Sequence, residues 1–428
     1  MASESGSLHV NPLASPSSDF YRSADESSIH DFLCIAGWAE QYRREPQAAR
    51  AAAAGALERW ISAGLPFRKH HSVRTFDPAE VVNFAKALGM RGDDDFWEQH
   101  YVATGRWLVG ELAAPRTVAP DESRCFSLRL ERTVNLGHYA AGDRVRLHLP
   151  LPIEDESMHD VHVVPDVDGA TRIESARIES GRLVATVIVP QEKIASIAAE
   201  IAFCHPERSE RSERSRRTAT ISDLELYLRP QEQLIKITPR MLELAKRLGV
   251  NKNDSLATMR SIWDFFFEHL ALGVVHYDAL GENPLDFAIE SGLFDCRLGS
   301  ALIVALCRAG GIPARICSGY ALYAVPYYHH WAEVWTDDRG WLPFDLICWD
   351  LSLRGEDATW TGRFFARIDA RMTTERLPRT FTGFPSVQFP DAWHVLSRPI
   401  QNGAAFGLFS VETGALVYED RLALKTNA

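Results

Sequence analysis

A multidomain α+β fold is what the sequence predicts, on three observations. Apolar residues follow a helical period from about residue 28 to 120; short alternating runs replace them over 121–205; beyond 221 helical and strand patterns are mixed. With 428 residues, 46% of them apolar, the chain can build several cores.

Taken in order, residues 1–27 are rich in Ser, Asn, Pro and acidic side chains and predict a disordered tail. The region 28–120 predicts helices, with Pro46 starting one, Asp77-Pro78 capping another that closes at Gly89, and a last one from Asp94 to Leu112. Runs such as CFSLRLERTVNL and RLVATVIVP, broken by Gly, Pro and Asp, predict a β-sandwich over 121–205. The Ser/Glu/Arg tract PERSERSERSRR predicts a solvated flexible linker at 206–220, exposed to trypsin. Residues 221–428 predict the domain that carries the chemistry, opened by helices at Thr238-Pro239 and Asp254 and ending in a hairpin that turns at Thr413-Gly414.

Composition narrows the function. A net charge of −11 lacks the basic footprint of a nucleic-acid binder. The Ser-rich N-terminus has no basic-then-apolar secretory pattern, and no apolar run reaches the roughly 20 residues of a membrane span. Seven cysteines without a CxxC pair predict free thiols in a reducing cytoplasm, with neither a disulfide framework nor a metal site. No cofactor motif and no calcium or phosphate loop is present.

One constellation points to chemistry. Cys296 precedes RLGSALIVALCRAGG, a helix apolar on all sides and therefore buried. A thiol at a helix start meets unpaired N–H groups and the positive end of the dipole, which favour thiolate and an oxyanion. HHWAEVW alternates as a strand, so His329 and His330 point to opposite faces and only one can meet Cys296. The turn Asp337-Asp338-Arg339-Gly340 folds GWLPFDLICW back beside it, and Asp345, within an apolar run, calls for a partner such as an imidazole. Nucleophile, base and orienting carboxylate are the parts of a covalent acyl-transfer site. Tyr277 and Trp331 are candidates for lining it, Trp331 as packing beneath; Glu333 and Arg315 are read as structural, Cys307, Cys317 and Cys348 as core. His70, His71 and His394 show no partners in the sequence.

The ordered set DCxxGSALIVALCRAGGIPAR, HxWxEVW and GWxPFD, within about residues 235–350, resembles the transglutaminase-like superfamily of papain-like cysteine enzymes. The resemblance implies a Cys-His-Asp triad. It selects His329, two residues before Trp331, and places the other members on Cys296 and Asp345. It implies a papain-like core, a nucleophile helix packed on an antiparallel sheet, and the sandwich preceding it resembles that of bacterial members. Phe294 departs from the glycine that members often carry two residues before the cysteine, which bears on the substrate groove more than on the triad. The implied activity is cleavage or transfer of an acyl group from a peptide, protein or small amide, as a peptidase or amidase. Transfer to an amine, as in a transglutaminase or amide synthase, and an inactive scaffold remain as alternatives.

Overall fold

The computed structural model describes residues 24–37, 39–90, 123–166, 172–232, 234–273, 275, 282–322, 327–346, 365–366, 371–376, 393–400, 403–410 and 416–425. The N-terminal module joins strands β1 (Ala24–Asp25), β2 (Arg68–His70) and β3 (Val73–Phe76) to helices α1 (Glu26–Gly37), α2 (Ala39–Arg44), α3 (Pro46–Ser62) and α4 (Pro78–Met90). Proline stands at the first position of α3 and α4, as expected. The small antiparallel sheet, order β1-β3-β2, was not anticipated, and Gly89 lies inside α4. Ile29, Leu33, Leu57, Trp60 and Phe76 form a separate core. The helix expected over Asp94–Leu112 falls outside the described residues.

Six strands follow: β4 (Arg124–Asn135), β5 (Arg144–Pro150), β6 (His159–Asp166), β7 (Ile173–Glu179), β8 (Arg182–Ile188) and β9 (Ile194–His205). Alternation sends Leu128 and Leu130 of β4 and Val145, Leu147 and Leu149 of β5 into one core. Cys125 and Cys204 are directly opposed on β4 and β9 and form a disulfide. This corrects the expectation of free thiols; Cys34, Cys296, Cys307 and Cys317 are free among the described residues.

The tract read as a flexible linker is helix α5 (Arg208–Thr218). Arg211 and Ser215, one turn apart, face inward. Arg211 bonds Glu333 at 3.0 Å, and Ser215 is buried against the turn glycine Gly340 (φ +72°), whose position a Cβ would contest. Two inward residues dock the helix while Ser209, Glu210, Glu213, Arg216 and Arg217 stay exposed, so composition hid the contact.

The core then runs α6 (Ile221–Leu226), β10 (Gln231–Glu232), β11 (Ile235–Lys236), α7 (Pro239–Arg247), α8 (Ser255–His269), β12 (Ala271–Leu272), α9 (Pro284–Ser291), β13 (Leu293–Phe294), α10 (Cys296–Ala309), β14 (Ala314–Ala321), β15 (Tyr327–Thr336), β16 (Gly340–Phe344) and β17 (Arg371–Arg376). Thr238 and Asp254 cap α7 and α8 as expected, accepting from Met241 N–H at 3.2 Å and Ala257 N–H at 2.9 Å. Strands β14 to β17 form an antiparallel sheet, order β16-β15-β14-β17, and the buried helix α10 packs on its strands β14 and β15. Gly299 permits the close approach: a Cβ there would lie 2.5 Å from Leu346 and 2.6 Å from Phe294.

The last strands, β18 (Trp393–Ile400), β19 (Gly403–Ser410) and β20 (Leu416–Leu424), leave the core and complete the first sheet of the sandwich, order β18-β19-β20-β4-β9-β6, facing β5-β8-β7. The expected hairpin is the β19–β20 pair, with its turn outside the described residues. The C-terminal strands thus belong to the sandwich, and the core is inserted between β9 and β18. The fold is α+β with antiparallel sheets throughout its large layers.

Sandwich and core meet along β17. Ile153 N–H donates to Thr373 O at 3.0 Å and Arg182 pairs with Glu375 at 2.9 Å. His205 Nδ1–H donates to Ser157 O at 2.7 Å, while Arg371 N–H donates to Nε2 at 3.4 Å, an arrangement that needs a neutral ring. Burial, with the Arg211 and Arg371 cations, pushes the His205 imidazole down to about 4. The unfolded chain therefore binds this proton from about pH 6.5 downward and the folded chain only near pH 4. Stability is full above that window and falls as pH drops through it, by up to about 3 kcal/mol from this ring. Urea unfolding at pH 7 and pH 4.5 should show a smaller acid loss in His205→Gln than in the unaltered protein; equal losses would contradict the assignment.

Candidate active site

Asp295 caps α10, accepting from Leu298 N–H at 2.8 Å, and Cys296 is the helix's first residue, half-buried. Its thiol faces His330, with Sγ 3.8 Å from Nδ1. The helix start was expected to lower the thiol. Instead burial pushes it up, with the Asp295 and Asp345 charges, against weaker opposition from the Arg297 and His330 backbone N–H groups. Burial also drives the His330 imidazole well below its ordinary value, assisted by the Arg297 cation and by His329. Cys296 and His330 therefore rest as a neutral thiol–imidazole pair.

Alternation on β15 decides which ring meets the sulfur. His330 shares a face with Ala332 and Val334, both packed in the core with α10, whereas His329, Trp331 and Glu333 take the other face. The ring contact expected for His329 is thus made by His330. His329 is not in solvent, however: it is buried, and its Nε2 lies 2.7 Å from Asp345 Oδ1. Asp345 follows β16, is fully buried, and takes Arg371 Nη2 on Oδ2 at 2.9 Å.

Trp331 is 1% exposed, and the Arg371 guanidinium lies 4.6 Å from its ring centre. Burial this complete fits the expected packing role and not contact with substrate. Tyr277 lies outside the described residues, as does Cys348. Glu333 and Arg315 are structural, as read: Arg315 donates to Glu333 Oε2 at 2.8 and 2.6 Å and also pairs with Glu156. Burial alone would raise the Glu333 carboxyl, but the Arg315, Arg376 and Arg211 cations hold it far below the usual carboxylate range. Cys307 and Cys317 are buried, Cys307 against Met259. Among the described residues no group of three or more His, Cys, Asp or Glu is placed to hold a metal.

Arg371 was missed by the sequence reading. It lies on β17, outside the three motifs, and nothing in its local pattern marks it.

Among curated proteins none matches the chain. Of solved structures, a candidate cysteine protease from Cytophaga hutchinsonii is 16% identical and covers 71% of this chain and 99% of its own, with a TM-score of 0.41. The periplasmic domain of TgpA from Pseudomonas aeruginosa is 14% identical, covering 56% and 93%, with a TM-score of 0.31. Red sea bream transglutaminase is 10% identical, covering 75% and 78%, with a TM-score of 0.27. Residues 243–346, which hold Cys296, both histidines and Asp345, match the family model described as the transglutaminase-like superfamily.

Proposed function

We propose that the chain is a cysteine enzyme that hydrolyses an amide bond in a peptide, protein or small amide through a covalent thioester. The observation that carries this reading is the Cys296 thiol, at the first residue of a buried helix and 3.8 Å from an imidazole nitrogen. The thiol proton passes to an imidazole as sulfur bonds to the carbonyl carbon. N–H groups at the start of α10 receive the oxyanion. The tetrahedral adduct collapses by breaking the C–N bond, and the imidazolium gives its proton to the departing amine. The same imidazole then takes a proton from water, whose oxygen attacks the thioester and releases acid and free thiol.

The base in this reading is His329. It has the buried carboxylate partner that orients a ring and stabilises its cation, Asp345 at 2.7 Å, whereas the environment of His330 disfavours protonation. His330 holds the resting thiol on the α10 face of β15, so this reading requires that the acyl donor displace that contact and that the His329 ring come round to the sulfur. The alternative assignment, His330 as base, is favoured by its 3.8 Å approach to the sulfur.

Water needs no second binding groove and an amine does, so hydrolysis is favoured over transfer, without calcium. Incubation with p-nitrophenyl acetate and with peptide amides, with and without methylamine and a calcium chelator, tests this. Acid as the main product, a thioester on Cys296 and no turnover in Cys296→Ala are the expected results. Amide as the main product would make the enzyme an acyltransferase. Turnover in the Cys296→Ala protein, or no thioester, would remove the covalent mechanism and favour a scaffold.

No helix among the described residues is long and apolar enough to cross a membrane. The Cys125–Cys204 disulfide favours an oxidising compartment, against the cytoplasm expected from unpaired thiols.

A further inference from the structure

We propose that Arg371 is a positioning residue, fixing the Asp345 carboxylate and through it the ring of His329; this rests on the roles given to those two residues above. The carboxylate's oxygens are divided between two partners, Oδ1 to His329 Nε2 at 2.7 Å and Oδ2 to Arg371 Nη2 at 2.9 Å. It cannot turn without loosening both. The guanidinium carbon lies 4.6 Å from the centre of the buried Trp331 ring, and Trp331 shares the face of β15 that carries His329. Imidazole, carboxylate, guanidinium and indole therefore form one closed set.

The backbone at Arg371 is anchored from two sides. It pairs with Ala321 on β14, within the core sheet, and its N–H donates to His205 of the sandwich at 3.4 Å. The cation is thus delivered by a strand fixed to both layers. Its chemical part follows from burial. A fully buried carboxylate is costly without partners, the Arg371 guanidinium beside Asp345 offsets that cost, and a carboxylate so held fixes the tautomer of His329. Lysine at this position could supply charge but not the planar guanidinium.

The test is a double-mutant cycle on the full chain with iodoacetamide as probe, reading the alkylation rate of Cys296 by peptide mass spectrometry. Arg371→Ala and Asp345→Ala should each slow alkylation about tenfold, and the double variant should be no slower than either, because both remove one interaction. Arg371→Lys should recover part of the rate. Merely structural damage would add to the loss from Asp345→Ala. Additive losses, or an unaltered rate in Arg371→Ala beside a slow Asp345→Ala, overturn the inference and leave the triad standing. Unaltered rates in both Asp345→Ala and His329→Ala overturn the triad, and Arg371 with it. If Arg371→Ala shows no cooperative melt, Arg371→Lys and Arg371→Gln carry the same cycle.

Discussion

His329→Ala is expected to lower acyl-bond turnover about a thousand- to ten-thousand-fold, the scale seen when a member of a nucleophile–base–carboxylate set is removed. The loss should fall on kcat, since the imidazole acts in proton transfer more than in binding. His330→Ala removes a neutral contact to the resting thiol. A hydrogen bond of that kind is worth about 1 kcal/mol, so its cost should be about tenfold or less. The two residues are chain neighbours on opposite faces of β15, and both are buried. Comparable packing damage therefore acts as an internal control. Steady-state kinetics on both variants, with melting temperatures, decide the matter. A near-complete loss in His330→Ala beside an active His329→Ala would move the base to His330 and reduce Asp345 to a structural partner.

Arg315→Met should cost about 3–5 kcal/mol of stability, the range for stripping one partner from a buried ion pair. Arg315 is buried, donates twice to Glu333, pairs with Glu156 from the sandwich, and lies over the Trp341 ring with 4.0 Å to its centre. Removal leaves two buried carboxylates to Arg376 and Arg211, Arg376 reaching Glu156 at 3.1 Å and Arg211 reaching Glu333 at 3.0 Å. The remaining cations soften the loss but cannot replace the fork geometry. Urea unfolding should show a lower midpoint, and adding Glu333→Gln should return part of it by removing the stranded charge. A loss below about 1 kcal/mol would mean that the cluster behaves like a solvated surface pair.

Much of the site was legible because residue type and order carry it. A cysteine at the start of an apolar helix, a histidine strand and an aspartate strand predict their own neighbourhood, and the structure does pair Cys296 with one histidine of that strand and Asp345 with the other. The face of β15 covered by α10 was not legible. The spacing of HxWxE fixes which residues share a face, not which face the helix takes. The disulfide needed the β4–β9 register, which pairs cysteines 79 residues apart. Arg371 comes from a strand 26 residues beyond Asp345, so no local pattern could announce it. The α5 tract failed for the opposite reason: its composition is that of a solvated segment, and only Arg211 and Ser215 reveal the docking face.

The return of the C-terminal strands to the sandwich has a consequence for how the protein is made. Strand β4 has β9 on one side and β20 on the other, and Asn135 at its end contacts Leu416, 281 residues later. At ribosomal speeds of about 5–20 residues per second, β4 waits on the order of tens of seconds for its second neighbour. Through that interval its outer edge is an open template for pairing with another nascent chain. The inserted core must fold while the layer beside it is half built, so recovery of native protein from expression should respond to translation rate and to edge-shielding chaperones more than to the stability of the finished fold.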